Sequence, residues 1–341
     1  IEKQFGFRTA VDYFHKVLTT TARENAFHPV CDYLEGLVWD GVERLPLWLT
    51  TYLSAGANEY TRAVGEIVMV AAVRRVRKPG VKFDEMLILE SEQGTAKSTL
   101  LAALAVRDDW FSDDLPLGAD TKRMIESLAG RWIVEAADLK GMRRADADNL
   151  KSFLSRRIDR SRMAYGRRVE EHPRQCIIVG TTNDARYLRD TTGNRRFWPV
   201  RTGRIDLAAL RRDVDQLWAE AAAKEAEGRS IRLPEQLWKI AGIEQADRKV
   251  INPMVESLST VLGDGPGILD SDDAWKIVGK ADPGRRSQAD AEQLGEALRE
   301  LGFERSRRRL DGRMTYCYVR GDEPDDRGLT PRLTWFQIRT D

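Results

Sequence analysis

Along residues 60–76 apolar side chains recur at Val64, Ile67, Val68, Ala71 and Ala72. Steps of three and four place them on one face of a helix. Lys78-Pro79-Gly80 stops that helix, because proline cannot continue the hydrogen-bond ladder. Everything up to about Pro79 therefore reads as helical. From about Phe83 to Val200 the pattern changes to short apolar runs at 86–89, 132–134 and 176–180, each followed by polar residues and separated by helical stretches. Buried strands alternating with helices predict an α/β domain whose function lies at the carboxyl ends of its strands. Residues 207–228 form an Ala- and Glu-rich helix, and the segment around 234–249 reads as a helical connector.

The remaining chain has a different pattern. Asp270-Ser271 caps a short helix ending at Gly279, and Ser287 with Asp290 makes a capping box. Leu294, Ala297, Leu298 and Leu301 give that second helix one apolar face before Gly302 closes it. Two alternating runs, 303–310 and 313–319, flank Asp311-Gly312, the strongest short-range signal of a hairpin. Two helices followed by a basic hairpin is the order of a winged helix-turn-helix. The expected domains are an N-terminal helical domain (1–80), an α/β core (81–205), a helical connector (206–252), the winged helix (253–322) and a tail (323–341).

Candidate chemistry begins after the first strand, where Glu90-Ser91-Glu92-Gln93-Gly94-Thr95-Ala96-Lys97-Ser98-Thr99 nearly repeats the phosphate-binding loop of nucleoside triphosphatases. Such a loop curls backbone N–H groups around phosphate oxygens, places a lysine on the β/γ-phosphates and offers a hydroxyl to Mg²⁺. Lys97 and Ser98 supply the last two, and a helix starting near Ala96 aims its positive end at the anion. Gln93, Gly94, Thr95, Ala96, Lys97, Ser98 and Thr99 are the candidate nucleotide-binding residues. Ser91 stands for the usual first glycine and Ala96 for the glycine before the lysine; alanine resists φ > 0. A plain strand-to-helix turn with a surface lysine is the alternative.

The second strand ends in Glu135, with Asp138 just beyond. An acid there holds the water shell of Mg²⁺ and polarises the attacking water, so Ser98 and Glu135 are the candidate metal residues and Asp138 the second-choice acid. The third strand runs into Thr181-Thr182-Asn183, whose amide suits the γ-phosphate. Arg195 and Arg196, in a loop after that strand, suit a finger reaching a neighbouring subunit's nucleotide. A turn asparagine and a surface basic pair are the bland readings; the joint order favours the functional ones. Lys151, Arg156, Arg157, Arg160, Arg162, Arg167 and Arg168, with Tyr165-Gly166 at a turn, suit a phosphate-tracking hairpin. Arg286 before the last helix, and Arg305, Arg307, Arg308, Arg309 and Arg313 on the terminal hairpin, make a second patch suited to duplex DNA.

Composition narrows the class further. A chain of 341 residues that is 42% hydrophobic builds real cores, and no apolar run approaches the length of a membrane span. Three scattered cysteines and three histidines argue against a zinc site or disulfide framework and make a reducing cytosol the default. The net charge of +1 hides local patches, since 32% of residues are charged. Ile1 is not an initiator, so the chain reads as a fragment with sequence missing upstream.

The chain resembles the virulence-associated protein E family over roughly residues 5–250. The resemblance is carried by His28-Pro29, Tyr33-Leu34, Trp39-Asp40-Gly41, Gln93-Gly94, Lys97-Ser98-Thr99 and Trp132-Ile133-x-Glu135. It continues through Lys151-Ser152-Phe153, Asp159-Arg160-x-Arg162, Tyr165-Gly166-Arg167 and Gly180-Thr181-Thr182-Asn183, and is most specific at Gly193-Asn194-Arg195-Arg196-Phe197-Trp198-Pro199. That family belongs to phages and other mobile elements and is related to superfamily 3 helicases. The resemblance implies an AAA+-like core using ATP and Mg²⁺, a homo-oligomeric and hexameric ring around a DNA strand, and often a preceding primase domain. By position it implies Lys97 and Ser98 for phosphate and metal, Glu135 as acid, Asn183 as sensor, Arg195 or Arg196 as finger, and Arg162–Arg168 as pore hairpin. The expected function is an ATP-driven DNA helicase or replication-initiator motor; the alternative is a DNA-binding initiator or regulatory ATPase that uses ATP only as an assembly switch.

Overall fold

The structure, a computed structural model, describes residues 10–116, 121–137, 139, 144–161, 170–188, 194–250, 252–310 and 313–321. It divides into two units, Ile1–Lys249 and Val250–Asp341.

In the first unit, helices α1 (Val11–Glu24), α2 (Pro29–Glu35), α3 (Trp48–Leu53) and α4 (Glu59–Arg77) precede the sheet. Asn58 caps α4 by accepting from the Thr61 N–H. Strands β1 (Met86–Glu90), β2 (Phe111–Ser112), β3 (Ile133–Ala136), β6 (Ile177–Thr182) and β7 (Phe197–Arg201) form a five-stranded sheet in the order β2-β3-β6-β1-β7. Every neighbouring pair is parallel. Between them run α5 (Lys97–Leu104), α6 (Thr121–Leu128) and α7 (Arg144–Leu154), then a separate antiparallel pair, β4 (Ile158–Ser161) with β5 (Glu170–Pro173). Helices α8 (Leu207–Ala226) and α9 (Trp238–Asp247) follow the sheet.

Alternation along β1 sorts its side chains to two cores. Leu87 and Leu89 join α4, α5 and α8 on one face. Met86 and Ile88 join Met124, Ile125, Leu150 and Phe153 on the other. Helices thus cover both faces, as an all-parallel sheet requires. On the first face Trp132 and Trp218 lie 4.1 Å apart between ring centroids, and their indole N–H groups reach Ala72 O at 3.1 Å and Leu104 O at 2.8 Å. Each large side chain buried this way contributes ~1.5–3 kcal/mol.

One strand was not expected from the sequence: β7 begins directly after Arg196, so the arginine pair lies in a short turn just before it. Proline inside a strand argues against pairing, but β7 is the sheet edge, and Pro199 sits opposite Ile88 where one missing N–H is tolerated. Lys151, grouped in the sequence with the hairpin arginines, is instead buried in α7 with its ammonium 5.7 Å from the centre of the Phe197 ring.

The second unit runs α10 (Pro253–Leu262), β8 (Gly267–Asp270), α11 (Ser271–Ile277), α12 (Gln288–Glu300), β9 (Glu304–Leu310) and β10 (Arg313–Arg320). Its sheet is antiparallel in the order β8-β10-β9. Leu258, Leu269, Trp275, Leu294, Leu298 and Phe303 make its core. Both expected caps are present: Asp270 accepts from Asp272 N, and Ser287 and Asp290 cap each other reciprocally. Arg320 ties the unit together, donating to Gly263 O at 2.6 Å, Gly265 O at 2.7 Å and Leu301 O at 3.0 Å with its guanidinium over Phe303.

Candidate active site

Three parallel strands end side by side, and the polar residues at their tips meet. β1 leads into the loop at Ser91, β6 into Asn183, and Glu135 is the next-to-last residue of β3. Lys97 opens α5, with Ala96 as its N-cap in the left-handed region at φ 65° and Gly94 at φ 82°. Two positive φ values curl the loop back over the helix end, which aims backbone N–H groups at one point. Ala96 does this at a strain that glycine would not incur.

The Lys97 ammonium is held at this mouth by oxygens of its own loop and of Asn183. It donates to Ser91 O at 3.1 Å, Ser91 Oγ at 2.9 Å, Glu92 O at 3.2 Å and Asn183 Oδ1 at 2.8 Å. Ser91 Oγ and Thr95 Oγ1 share a further hydrogen bond at 2.5 Å across the loop. Burial lowers the Lys97 pKa, and the charge of Glu135 opposes that shift.

Glu135 is 1% exposed. Its Oε1 accepts from Ser98 Oγ at 3.0 Å and from Thr181 Oγ1 at 2.6 Å, while Oε2 is buried with no partner in the protein. A buried carboxylate oxygen left unpaired is costly, and this carboxylate belongs to the group in which Ser98 and Lys97 lie. Among the described residues no cluster of three or more His, Cys, Asp or Glu could hold a metal by itself. Mg²⁺ asks for less, binding through one or two protein oxygens plus phosphate and water. Ser98 Oγ and Glu135 fit that demand.

The structure therefore brings Lys97, Ser98, Glu135 and Asn183 together with Gly94, Thr95 and Ala96. Gln93 and Thr99 lie on the same loop and first helical turn, both exposed. Arg195 and Arg196 stand apart from this group. They form a short turn before β7, whose Phe197 pairs with Met86 at the amino end of β1. That is about 13 Å, a four-residue strand length, from the loop. Arg195 is exposed, and Arg196 lies 3.3 Å from Asp84. Asp138, Arg162, Arg167 and Arg168 lie outside the described residues. The base of the β4–β5 hairpin that would carry the last three is held by the buried pair Arg174–Asp159, at 2.6 and 2.9 Å.

Three residues near the loop escaped the sequence reading. Glu90, the last residue of β1, is 5% exposed and receives Arg248 through Nε at 2.9 Å and Nη2 at 2.9 Å. Tyr187 donates to the same carboxylate at 2.8 Å; burial, then the charge of Glu90, pushes its phenol up and keeps it a donor. Arg248 is 158 residues away in sequence, and no local spacing signals such a pair. Thr181, by contrast, lay within the Gly180-Thr181-Thr182-Asn183 run.

In the second unit Arg286 is occupied internally. It donates to Lys280 O at 3.0 Å and Ala281 O at 2.7 Å, with its guanidinium 4.9 Å from the Trp275 ring centre. It braces the turn before α12. Arg307 is exposed on β9; Arg309 lies on the same strand, and its side chain is outside the described set.

A parallel sheet with helices on both faces, carrying a lysine-bearing loop at the carboxyl end of one strand and a buried acid near the end of another, places the chain among open α/β folds whose sites lie at the strand ends. Residues 34–250 match the virulence-associated protein E-like domain, and the chain belongs to that family. In fold it is similar to the apo C-terminal region of NrS-1, with a TM-score of 0.51 at 11% identity over 84% of this chain and 78% of that one. A structure of inhibitor-bound JCV helicase aligns over 73% of this chain and 70% of its own at 14% identity, but with a TM-score of 0.30, too low to speak for a shared architecture. No curated protein matches the sequence. Among the described residues no helix is long and apolar enough to cross a membrane.

Proposed function

We propose that this protein is an ATP-dependent DNA helicase or replication-initiator motor of a phage or mobile element, hydrolysing ATP between subunits of a ring, a hexamer in our reading. The observation that carries the reading is the meeting of Lys97, Ser98, Glu135 and Asn183 at three adjacent strand ends, with one oxygen of Glu135 buried and unpartnered. The phosphates of ATP would sit at the amino end of α5, with Lys97 moving from its loop oxygens onto them. Asn183, released from Lys97, is then placed to orient the γ-phosphate or the attacking water. Ser98 and Glu135 would hold Mg²⁺, which when bound neutralises charge on the phosphate oxygens. Glu135 Oε2 is the acceptor for a proton of the attacking water.

The position of Arg195 and Arg196, far from the loop of their own chain, supports a finger acting on a neighbour's nucleotide. Arg162, Arg167 and Arg168 would line the pore against a single DNA strand. The helix, strand, helix, helix, hairpin order of the second unit supports a winged helix that binds duplex DNA. The switch reading draws on the strained Ala96 and on a lysine already satisfied by its own loop.

The test is complementation. Lys97→Ala should abolish ATP turnover and unwinding, and mixing it with Arg195→Ala or Arg196→Ala should recover partial turnover at mixed interfaces. Unwinding that survives Lys97→Ala rules the motor out. Nucleotide-dependent assembly, seen by light scattering, without DNA-stimulated turnover favours the switch.

A further inference from the structure

We infer that the second unit grips duplex DNA through one face of the β9–β10 hairpin, and that its last helix, α12, does not enter a groove; this deepens the DNA-binding reading above and rests on it. Arg305 and Arg307 are two residues apart on β9 and project to the same face, about 7 Å apart. Register places Tyr316 opposite Arg307 and Met314 opposite Arg309 on β10. Both guanidinium groups stack on Tyr316, at 4.4 Å from its ring centre for Arg305 and 5.8 Å for Arg307. Tyr316 is 50% exposed and Met314 57%, and both arginines are exposed. Two cations held side by side by an aromatic ring lose little side-chain freedom on meeting a phosphate strand, and an exposed methionine beside them offers apolar contact to sugar.

The helix presents the opposite chemistry. Leu294, Ala297 and Leu298 fix its buried side. At 100° per residue, Glu292, Glu296 and Glu300 fall on the side facing away from that core, one above another at steps of four. Arg299 is the sole cation within α12. A helix side that carries three carboxylates and one cation is a poor electrostatic match for a groove walled with phosphates. The basic partner expected just before it, Arg286, already serves Lys280 O, Ala281 O and the Trp275 ring. Charge complementarity therefore selects the hairpin, and a grip made mostly of guanidinium and phosphate is largely indifferent to base sequence.

The experiment titrates the full chain with a labelled random-sequence duplex at several salt concentrations. Each phosphate that the protein ceases to neutralise should reduce the slope of log K against log salt by about 0.9. Arg305→Ala with Arg307→Ala should lower it by about 1.8, while the Arg305→Lys, Arg307→Lys chain keeps the slope and so separates charge from folding. Gln288→Ala, Gln293→Ala and Arg299→Ala together should leave affinity and slope unchanged. Abolished binding in that helix variant with an unaltered slope in the double arginine variant overturns the inference while leaving DNA binding itself intact. A wild-type chain that binds no duplex at low salt overturns the DNA reading as well, and one that binds single-stranded DNA or RNA through the hairpin in preference to duplex overturns the choice of partner.

Discussion

At the scale of single residues, the loop at 91–98 is held by side chains that a minimal phosphate loop lacks. Ser91 Oγ accepts from Lys97 and bonds Thr95 across the mouth; ATP bound as proposed would displace a hydrogen bond worth ~0.5–1.5 kcal/mol net. Ser91→Ala should therefore tighten ATP binding by about 2- to 10-fold in an equilibrium titration; weaker binding would mean that the hydroxyl itself holds phosphate. Ala96 acts through the backbone instead. At φ 65° its methyl costs ~1–2 kcal/mol that glycine avoids, offset in part by glycine's greater freedom when unfolded. Ala96→Gly should raise the melting temperature slightly and turnover by up to about 5-fold; equal turnover in the two chains would free the methyl of any part in limiting the chemistry. The departure at Ala96 was visible in the sequence because a missing glycine leaves a mark on a motif. The role of Ser91 was not, because nothing in the motif says that the residue replacing glycine turns its hydroxyl toward the lysine.

Secondary-structure elements were legible where local chemistry decides them. The helix pattern at 60–76 became α4 at Glu59–Arg77, and the Asp311-Gly312 pair lies between β9 and β10. The Ser287–Asp290 capping box is made in full. Elements decided by tertiary position were missed: β7 contains a proline and is a strand because an edge place beside β1 was available. The cap offers a pH prediction. The ion pair with Lys280, then the Ser287 hydrogen bonds, hold the Asp290 carboxyl at about 2, against an ordinary value of 3.8. A lowered folded pKa means that the stabilisation is complete above about 3.8 and is lost as pH falls through about 2. Asp290→Asn should flatten the stability of the second unit across that window, read as hydrogen exchange in α12 against pH; a wild-type profile equally flat there refutes it. Ser287→Ala should cost about 1 kcal/mol at any pH above it.

For the whole molecule, the end of the first unit bears on the candidate nucleotide site. Arg248 lies one residue before the last residue of that unit, Lys249, yet its guanidinium sits against Glu90 at the foot of the loop at 91–98. Arg248 also pairs with Glu244 in α9, and its carbonyl accepts from the Tyr187 and Leu188 N–H groups beyond Asn183. The end of the first unit is thus clamped between the loop and the segment after β6, although no continuous stretch of sequence connects them. Removing one member of a buried ion pair leaves the other uncompensated, at a cost of ~3–5 kcal/mol. Two truncations differing by three residues should therefore behave differently. A chain ending at Val250 keeps Arg248 and should fold and bind an ATP analogue with the affinity of the full chain, lacking only the second unit and its grip on duplex. A chain ending at Asp247 leaves Glu90 buried without its cation and should melt at least several degrees lower, with nucleotide binding weakened in step. Arg248→Met in the full chain should reproduce the second result while the hairpin still binds duplex. If the shorter truncation matches the longer in both melting and nucleotide affinity, Glu90 is satisfied without Arg248, and the loop at 91–98 takes no support from the end of its own unit.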